Sequence, residues 1–479
     1  MGIIKEIKEM SDVFALAKIP RVDWYYQTYI NVWKYIYSGY YTDWHDISYK
    51  TIEGAKRRRM AQMNAAKALC AELAGLVFNE KCEINITGAL QDYINGVFDD
   101  NYFIVNMQNL IEKSFALGGA ALKVWVEHGK VKIDYVAADC FIPIAWDNRR
   151  VSEAVFVHKS VRENHYFTML EWHLWEHGTY VVRNQLYKSD SPSTLGLSIP
   201  LGSMYPELQE EARIESLKCP LFVYFKPNIA NNLFDGSPLG ISVFANAFDT
   251  LKALDVCLDS FTREFTLGKK RIIVPESAVR LVQDRNGGGV VRYFDASDEV
   301  YVAMHNEDGE SFKIQDNTIE IRFEEHIKSI DAFLSILALQ TGLTAGTLAF
   351  DNAQGLKTAT EVISENSKTF KTVKSHENII SEAIRQLVEA VVSVSQLYDM
   401  IQGNLEYEIS IVFDDSIVDD KQTKINTALQ LTASGLLSKE TALVKYLGYT
   451  EEGAKEEIAR INAENQSVTA ENIDYFNNE

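Results

Sequence analysis

The spacing of apolar residues changes period several times along the chain. Helix signals begin near Ile52, and Ala61, Ala65, Ala68, Leu69, Leu73, Leu76 and Val77 recur at intervals that predict an amphipathic helix. From Ala121 to about Tyr187 the period becomes two. Leu122, Val124 and Val126 alternate with other residues, His128-Gly129 marks a turn, and Val131, Ile133 and Tyr135 resume the alternation. The same grammar returns at Trp172, Leu174 and Glu176, then His177-Gly178, then Tyr180 and Val182. Two β-hairpins are predicted, with glycine supplying the positive φ that their turns need. Residues 188–220, punctuated by Ser, Pro and Gly, read as a loop.

The second half is mostly helical. Ser237-Pro238 reads as a helix start, and Phe244, Ala247, Phe248, Leu251, Leu254, Leu258 and Phe261 continue the pattern to Gly268. This predicts a rod of roughly 40 Å. Residues 269–323 break into short β-like pieces, Arg271–Val274, Val290–Phe294, Val300–Ala303 and Ile319–Phe323, around Gly287-Gly288-Gly289. A second helix is predicted from Glu324 to Thr341, stopped by Gly342. A small α/β module is thus inserted between two helices that return to one body, a stalk with a tip.

Residues 342–355 are small, polar and aperiodic, and they lead to Thr358-Ala359-Thr360-Glu361, a capping-box sequence. No Gly or Pro then occurs until Gly403, and Phe370, Val373, Glu377, Ile380, Ile384, Leu387, Val391 and Val394 mark one stripe of a helix of about 65 Å. A strand, Glu408 to Phe413, follows. A helical unit from about Asp420 is divided at Gly435-Leu436-Leu437-Ser438, and the acidic tail after about Glu464 reads as disordered. The fold class expected is α+β, mostly helical. With 479 residues the chain should divide into two to four units, since domains usually hold about 100–200 residues.

The aromatic segment Trp24 to Trp44 offers faces that stack on bases, but Asp23, Asp43 and Asp46 beside it repel phosphate, so a packed surface is expected. The run Lys56-Arg57-Arg58-Arg59 reads as a solvated helix face or a source of interface ion pairs rather than a phosphate site. Overall, 47 basic against 67 acidic residues give a net charge of −20, which argues against a broad grip on nucleic acid. An acidic conduit along which DNA slides remains compatible with it.

The five cysteines, Cys70, Cys82, Cys140, Cys219 and Cys257, form no C-x-x-C pair and predict reduced thiols. Met1 to Pro20 lacks the apolar core of a signal peptide, and Glu6 stands where a myristoylation signal has Ser or Thr. No run approaches the ~18 apolar residues of a membrane helix. These features predict a soluble protein made inside a cell.

Catalytic chemistry finds little support. Gly268-Lys269 lacks the earlier glycine of a phosphate loop, where Arg263 stands, and Lys270 replaces the Mg²⁺-holding hydroxyl. His173 and His177 fall in a strand-like segment, too far apart for one metal. Asp414-Asp415 with Asp419-Asp420 has the composition of a divalent-cation site, yet capping and turns around Ser416 account for it as well. No Ser–His–Asp set is discernible. No catalytic residue, metal ligand or cofactor is therefore assigned.

Three patches remain: Ala71 to Glu80 (AELAGLVFNE), Thr358-Ala359-Thr360-Glu361-Val362, and Gly435 to Ala442 (GLLSKETA) with the later Glu451-Glu452. With the order of elements, these resemble the portal proteins of tailed bacteriophages, especially those of long-tailed phages of Gram-positive bacteria. The resemblance implies a wing of residues 1–239 with β-hairpins, stem helices 240–268 and 324–342, and a clip at 269–323. It further implies a tunnel loop at 343–357, a long wing helix and strand at 358–419, and a crown with an acidic tail at 420–479. It implies a ring of roughly twelve subunits at the capsid portal vertex of the virion, assembled in the host cytoplasm. The implied partners are the terminase large subunit, head-completion or adaptor proteins, major capsid and scaffolding proteins, and double-stranded DNA held without sequence preference; no membrane is involved. Thr347, Asp351, Asn352, Gln354 and Lys357 would face DNA, although Lys357 serves equally well as a surface lysine. Arg285, Gly287, Gly288, Gly289 and Arg292 would lie in the partner-docking clip. A metal-dependent DNA-processing enzyme built on Asp414, and a minor capsid protein without a channel, stand as alternatives.

Overall fold

The computed structural model describes residues 22–51, 54–88, 90–148, 150–192, 194–234, 236–268, 272–273, 280–283, 290–293, 315–316, 320–349, 359–403, 406–413, 421–447, 453–455 and 457–461. Helix α1 (Val22–Tyr37) and a single turn, α2 (Thr42–His45), precede a two-stranded hairpin, β1 (Asp46–Thr51) with β2 (Gly54–Arg59). The aromatic segment is packed, as expected: Tyr26, Trp33, Tyr41 and Trp44 are buried. The basic run is not on a helix. Lys56 to Arg59 form strand β2, and the helix begins only at α3 (Ala65–Val77), after Asn64 takes a left-handed φ of 53°. Its buried stripe includes Leu69, Cys70, Leu73 and Val77.

Strand β3 (Glu83–Ile86), α4 (Leu90–Asp100) and α5 (Phe103–Leu117) lead into the first expected hairpin, β4 (Ala120–Glu127) with β5 (Lys130–Ala137). Its turn has φ of 48° at His128 and 72° at Gly129, both positive as a two-residue hairpin of this twist requires. Then come β6 (Phe141–Trp146), β7 (Val151–Arg162) and the second expected hairpin, β8 (His165–Glu176) with β9 (Thr179–Ser189), turned at His177-Gly178. The expected 188–220 loop is only partly a loop. It holds β10 (Leu197–Ile199) and β11 (Glu211–Ile214), both paired with β9. The larger sheet runs β10-β9-β8-β7-β6, and β12 (Phe222–Phe225) joins β4 and β5 in a smaller one.

Helix α6 (Phe248–Leu267) starts some ten residues later than Ser237-Pro238 suggested. Two tertiary bonds explain the delay. Val243 N–H donates to Phe115 O at 2.9 Å and Ser242 Oγ to the same oxygen at 3.2 Å, which fixes this segment against the end of α5 in a non-helical form. The helix is therefore about 30 Å long. Four short strands follow, β13 (Ile272–Ile273), β14 (Arg280–Gln283), β15 (Val290–Tyr293) and β16 (Gln315–Asp316), pairing β13 with β16 and β14 with β15. Val300–Ala303 lies outside the described residues, β14 and β16 were not foreseen, and Phe323 belongs to a helix rather than a strand.

That helix is α7 (Phe323–Gln340), which runs back along α6. The long helix α8 (Ala359–Leu397) has 39 residues, about 58 Å, and its stripe of Val373, Ile380, Ile384, Leu387, Val391 and Val394 is buried. It packs on α3, β4 and β12 in the main core. Burying each such aliphatic side chain contributes about 1.5–3 kcal/mol, so α8 is the spine of the fold. Strand β17 (Ile409–Val412) pairs with β3, and α9 (Lys421–Ala433) and α10 (Lys439–Leu447) flank Gly435 as expected. The tail after Glu464 lies outside the described residues.

Candidate functional site

The α6–α7 pair and the chain leaving it form the site. At its body end Thr250 Oγ1 donates to Gln340 Oε1 at 2.8 Å. At its far end Glu264 bonds both Arg322, at 2.9 Å, and His326, while Phe261 stacks on the His326 ring at 5.0 Å. Hydrogen bonds from Arg322 and His326 hold the Glu264 carboxyl below its ordinary value. The antiparallel pair is thus clamped at both ends, and the β13–β16 segment leaves and re-enters at the far one.

The loop after α7 has a fixed root. Gly342 takes φ +82°, and Thr372 on α8 donates to its carbonyl at 2.7 Å. A Cβ at Gly342 would lie 2.8 Å from Thr372 Oγ1, so only glycine fits. Lys368 Nζ donates to Leu339 O at 2.9 Å, Thr344 N–H donates to Thr369 Oγ1 at 2.8 Å, and Leu343 is buried. Thr347 sits in the following turn, 3.4 Å from the Thr369 hydroxyl, at the base of the loop. Asp351, Asn352, Gln354 and Lys357 lie outside the described residues, as do Arg285, Gly287, Gly288 and Gly289. Arg292 is on β15 opposite Leu281.

A third feature escaped sequence reasoning. Asp255 and Asp259, one turn apart on α6, hold the segment between β2 and α3. Asp255 accepts from Met63 N–H at 2.7 Å, and Asp259 accepts from Ala61 N–H at 3.0 Å and both Arg58 terminal nitrogens at 2.8 and 2.7 Å. The i, i+4 spacing was visible in the sequence, but its partners lie about two hundred residues away.

A constellation of catalytic appearance proves inaccessible. On β8, Glu171 is held ionised and can only accept, so the neutral His173 ring donates from Nε2 to it at 3.0 Å and accepts the Tyr180 hydroxyl at Nδ1 at 2.7 Å; the Tyr180 oxygen in turn accepts from Leu221 N–H. Lys123 on β4 reaches Glu171 at 2.7 Å and Asp134 at 3.2 Å. His173 is 2% exposed and Lys123 5%, so no substrate reaches either, and the cluster ties the two sheets together. His177 is in the turn and does not join His173. Gly268 caps the C-terminal end of α6, the end of a helix that repels phosphate. Among the described residues no group of His, Cys, Asp and Glu could hold a metal, and no helix is long and apolar enough to cross a membrane. Residues 414–420 lie outside the described residues. All five cysteines are free.

The described residues thus offer a clamped helix pair, short paired strands between its helices, a rooted loop and enclosed polar clusters. A family model described as "Phage portal protein, SPP1 Gp6-like" matches residues 16–470, and the chain belongs to that family. Its role is accordingly that of a phage portal protein, a structural and non-enzymatic component, and neither the DNA-processing enzyme nor the channel-less capsid protein is supported. No curated protein matches the chain. Among solved structures, the neck of a native GTA particle computed with C12 symmetry is similar at 11% identity and a TM-score of 0.37, covering 81% of this chain and 89% of its own. The virion of a native gene transfer agent particle gives 10% identity and a TM-score of 0.36, over 80% of this chain and 88% of its own.

Proposed function

We propose that this chain is one subunit of a twelve-membered ring at a capsid vertex, in keeping with the C12 symmetry of the similar neck. The observation that carries the reading is the portal family match over nearly the whole chain. In it α6 and α7 are the stem, residues 269–323 the clip that meets the terminase and then head-completion proteins, and 343–357 the tunnel loop. Residues 1–239 with α8 form the wing, and residues 420–479 the crown. Capsid and scaffolding proteins contact the outside, and assembly takes place in the host cytoplasm.

The division of labour follows from charge and rigidity. A net charge of −20 disfavours tight binding to phosphate, so DNA passes with little friction. Contact falls to the loop between the fixed Leu343 root and α8, where Thr347, Asp351, Asn352, Gln354 and Lys357 repeat around the ring. Such contact is to the backbone and blind to sequence. Arg285, Gly287, Gly288, Gly289 and Arg292 serve docking at the clip. Electron micrographs of the purified protein test the reading: rings with a central hole are expected, and monomers or dimers at every concentration would overturn it.

A further inference from the structure

We propose that neighbouring copies join by seating the outer ridge of α7 in a groove beside α6, with Arg263 of one copy facing Glu325 of the next. The proposal rests on the ring reading and adds the surfaces that close the ring. On α6, Lys252, Val256, Ser260, Arg263 and Leu267 are all exposed at intervals of four, four, three and four, one stripe of a helix. From Val256 to Leu267 this stripe lines a cavity of about 580 Å³ walled by Ile47, Arg58 and Met60 of the hairpin side and by Arg322. On α7, Glu325, Ser329, Ala332, Ile336 and Leu339 form a second exposed stripe, opposite the buried Ile330, Leu334 and Leu337.

Both stripes leave large apolar side chains in water: Val256 is 44% exposed, Leu267 53%, Ile336 42% and Leu339 66%. Their charges are complementary. Arg58, Arg263 and Arg322 line the groove with Asp259 and Glu264, which pair with Arg58 and Arg322 and leave Arg263 over; on the ridge Glu324 pairs with Lys328 and leaves Glu325 over. Among the described residues neither Arg263 nor Glu325 forms an ion pair, although Arg58 and Arg322 each have one.

Register selects the occupant. A closed ring repeats by rotation without rise, so with α6 and α7 running along its axis a residue meets neighbours at its own height, and the two contact faces must differ. Within one chain Thr250 is level with Gln340, and Glu264 with Arg322 and His326. On that scale Arg263 stands level with Glu325, Ser260 with Ser329, and Val256 near Ala332. Over these three levels opposite charges, small hydroxyls and apolar side chains face each other in turn, and the match ends at Lys252, which is level with Ile336.

Charge reversal tests this on the full-length chain, read by sedimentation and micrographs. Arg263→Glu and Glu325→Arg should each raise the concentration needed for ring formation about ten-fold, and the double variant should restore it, because each single change sets like charges together. Single variants that assemble like the parent, or a double variant no better than the worse single, would overturn the proposal. As a second arm, Ser260→Cys and Ser329→Cys chains of different tagged lengths, co-expressed and oxidised, should give a mixed disulfide dimer. Rings without that product also overturn this contact. A parent chain that forms no ring sinks the ring reading itself, a result distinguishable from failure of the contact alone.

Discussion

Asp259 grips Arg58 through two parallel hydrogen bonds, at 2.8 and 2.7 Å, across 201 residues of chain. The same carboxylate accepts Ala61 N–H, so one side chain of α6 fixes both the hairpin and the segment that leaves it. Hairpin and helix therefore move as a unit, and under the proposed ring contact they form one wall of the groove.

Removing that carboxylate should free the hairpin. Asp259→Ala leaves the guanidinium and an amide without their acceptor, at a cost of about 1–3 kcal/mol. Limited trypsin digestion should then cut faster at Lys56 to Arg59, while Ser260→Ala leaves the rate unchanged. Burial opposes ionisation of Asp259, but the Arg58 hydrogen bonds and Ala61 N–H prevail and hold its carboxyl below the ordinary 3.8. Its contribution is thus present above that value and lost as pH falls through the depressed one. Equal digestion of Asp259→Ala and the parent would show that the pair anchors nothing.

Lys123 and Glu171 make a stronger case because both are enclosed. Burial works against the lysine charge, yet Glu171 and Asp134 hold it above its ordinary value. Burial likewise opposes the Glu171 charge, but the neighbouring His158 at 3.3 Å, the hydrogen bond from His173 and the Lys123 ammonium hold it well below its ordinary value. The lysine share is present below 10.5 and lost as pH rises through the raised value; the glutamate share is present above 4.5 and lost as pH falls through the depressed one. Lys123→Met strands a buried carboxylate and should cost about 3–5 kcal/mol in urea unfolding, with acid unfolding moved to higher pH. Lys123→Met with Glu171→Leu should recover most of the loss, since it removes the stranded charge. A double variant as unstable as the single would assign the effect to lost lysine packing.

What the sequence disclosed follows a physical divide. The hairpins at His128-Gly129 and His177-Gly178, the helix ending before Gly342 and the α8 stripe are local: period and turn residue alone specify them. Lys56 to Arg59 carry no apolar alternation that would mark a strand, being mostly exposed, and their Asp259 anchor lies far along the chain. Strands β10 and β11 have three and four residues, too few for a period to register. The late start of α6 depends on the Phe115 carbonyl, which no local pattern encodes. The candidate site divides likewise: its helices and the glycine that stops α7 were legible, whereas the Asp255 and Asp259 clamps were not.

His376 predicts an acid-sensitive joint in the core. Its ring is 2% exposed, lies 4.9 Å from the Phe115 ring centre and accepts Asn228 N–H at 3.1 Å. Burial pushes its pKa from 6.5 down to about 4. As pH falls from 6.5 towards 4 the unfolded chain gains a proton that the folded chain refuses, so stability should drop by up to about 3 kcal/mol. His376→Gln keeps an acceptor for Asn228 but cannot titrate, and its stability should vary less over that range. Parallel pH profiles for parent and variant would assign the slope elsewhere.

Gly118 and Gly240 predict where the fold tolerates least. Gly118 ends α5 with φ +84°, and a Cβ there would stand 2.4 Å from Gly240 O; a Cβ on Gly240 would stand 2.5 Å from Gly118 O. The two backbones cross too closely for any side chain, and the neighbouring Ser242 and Val243 fix the lead into α6. Gly129, in the β4–β5 turn, has a similar φ of +72° but nothing within 4 Å of its Cβ position. Gly129→Ala should therefore cost only the conformational penalty, about 1–2 kcal/mol. Gly118→Ala adds a backbone collision that must push the 240–243 segment off α5, for a total of about 3 kcal/mol or more. Urea unfolding of the two variants separates the terms: a larger loss at Gly118 measures the close approach, and equal losses would mean that the crossing has room to give.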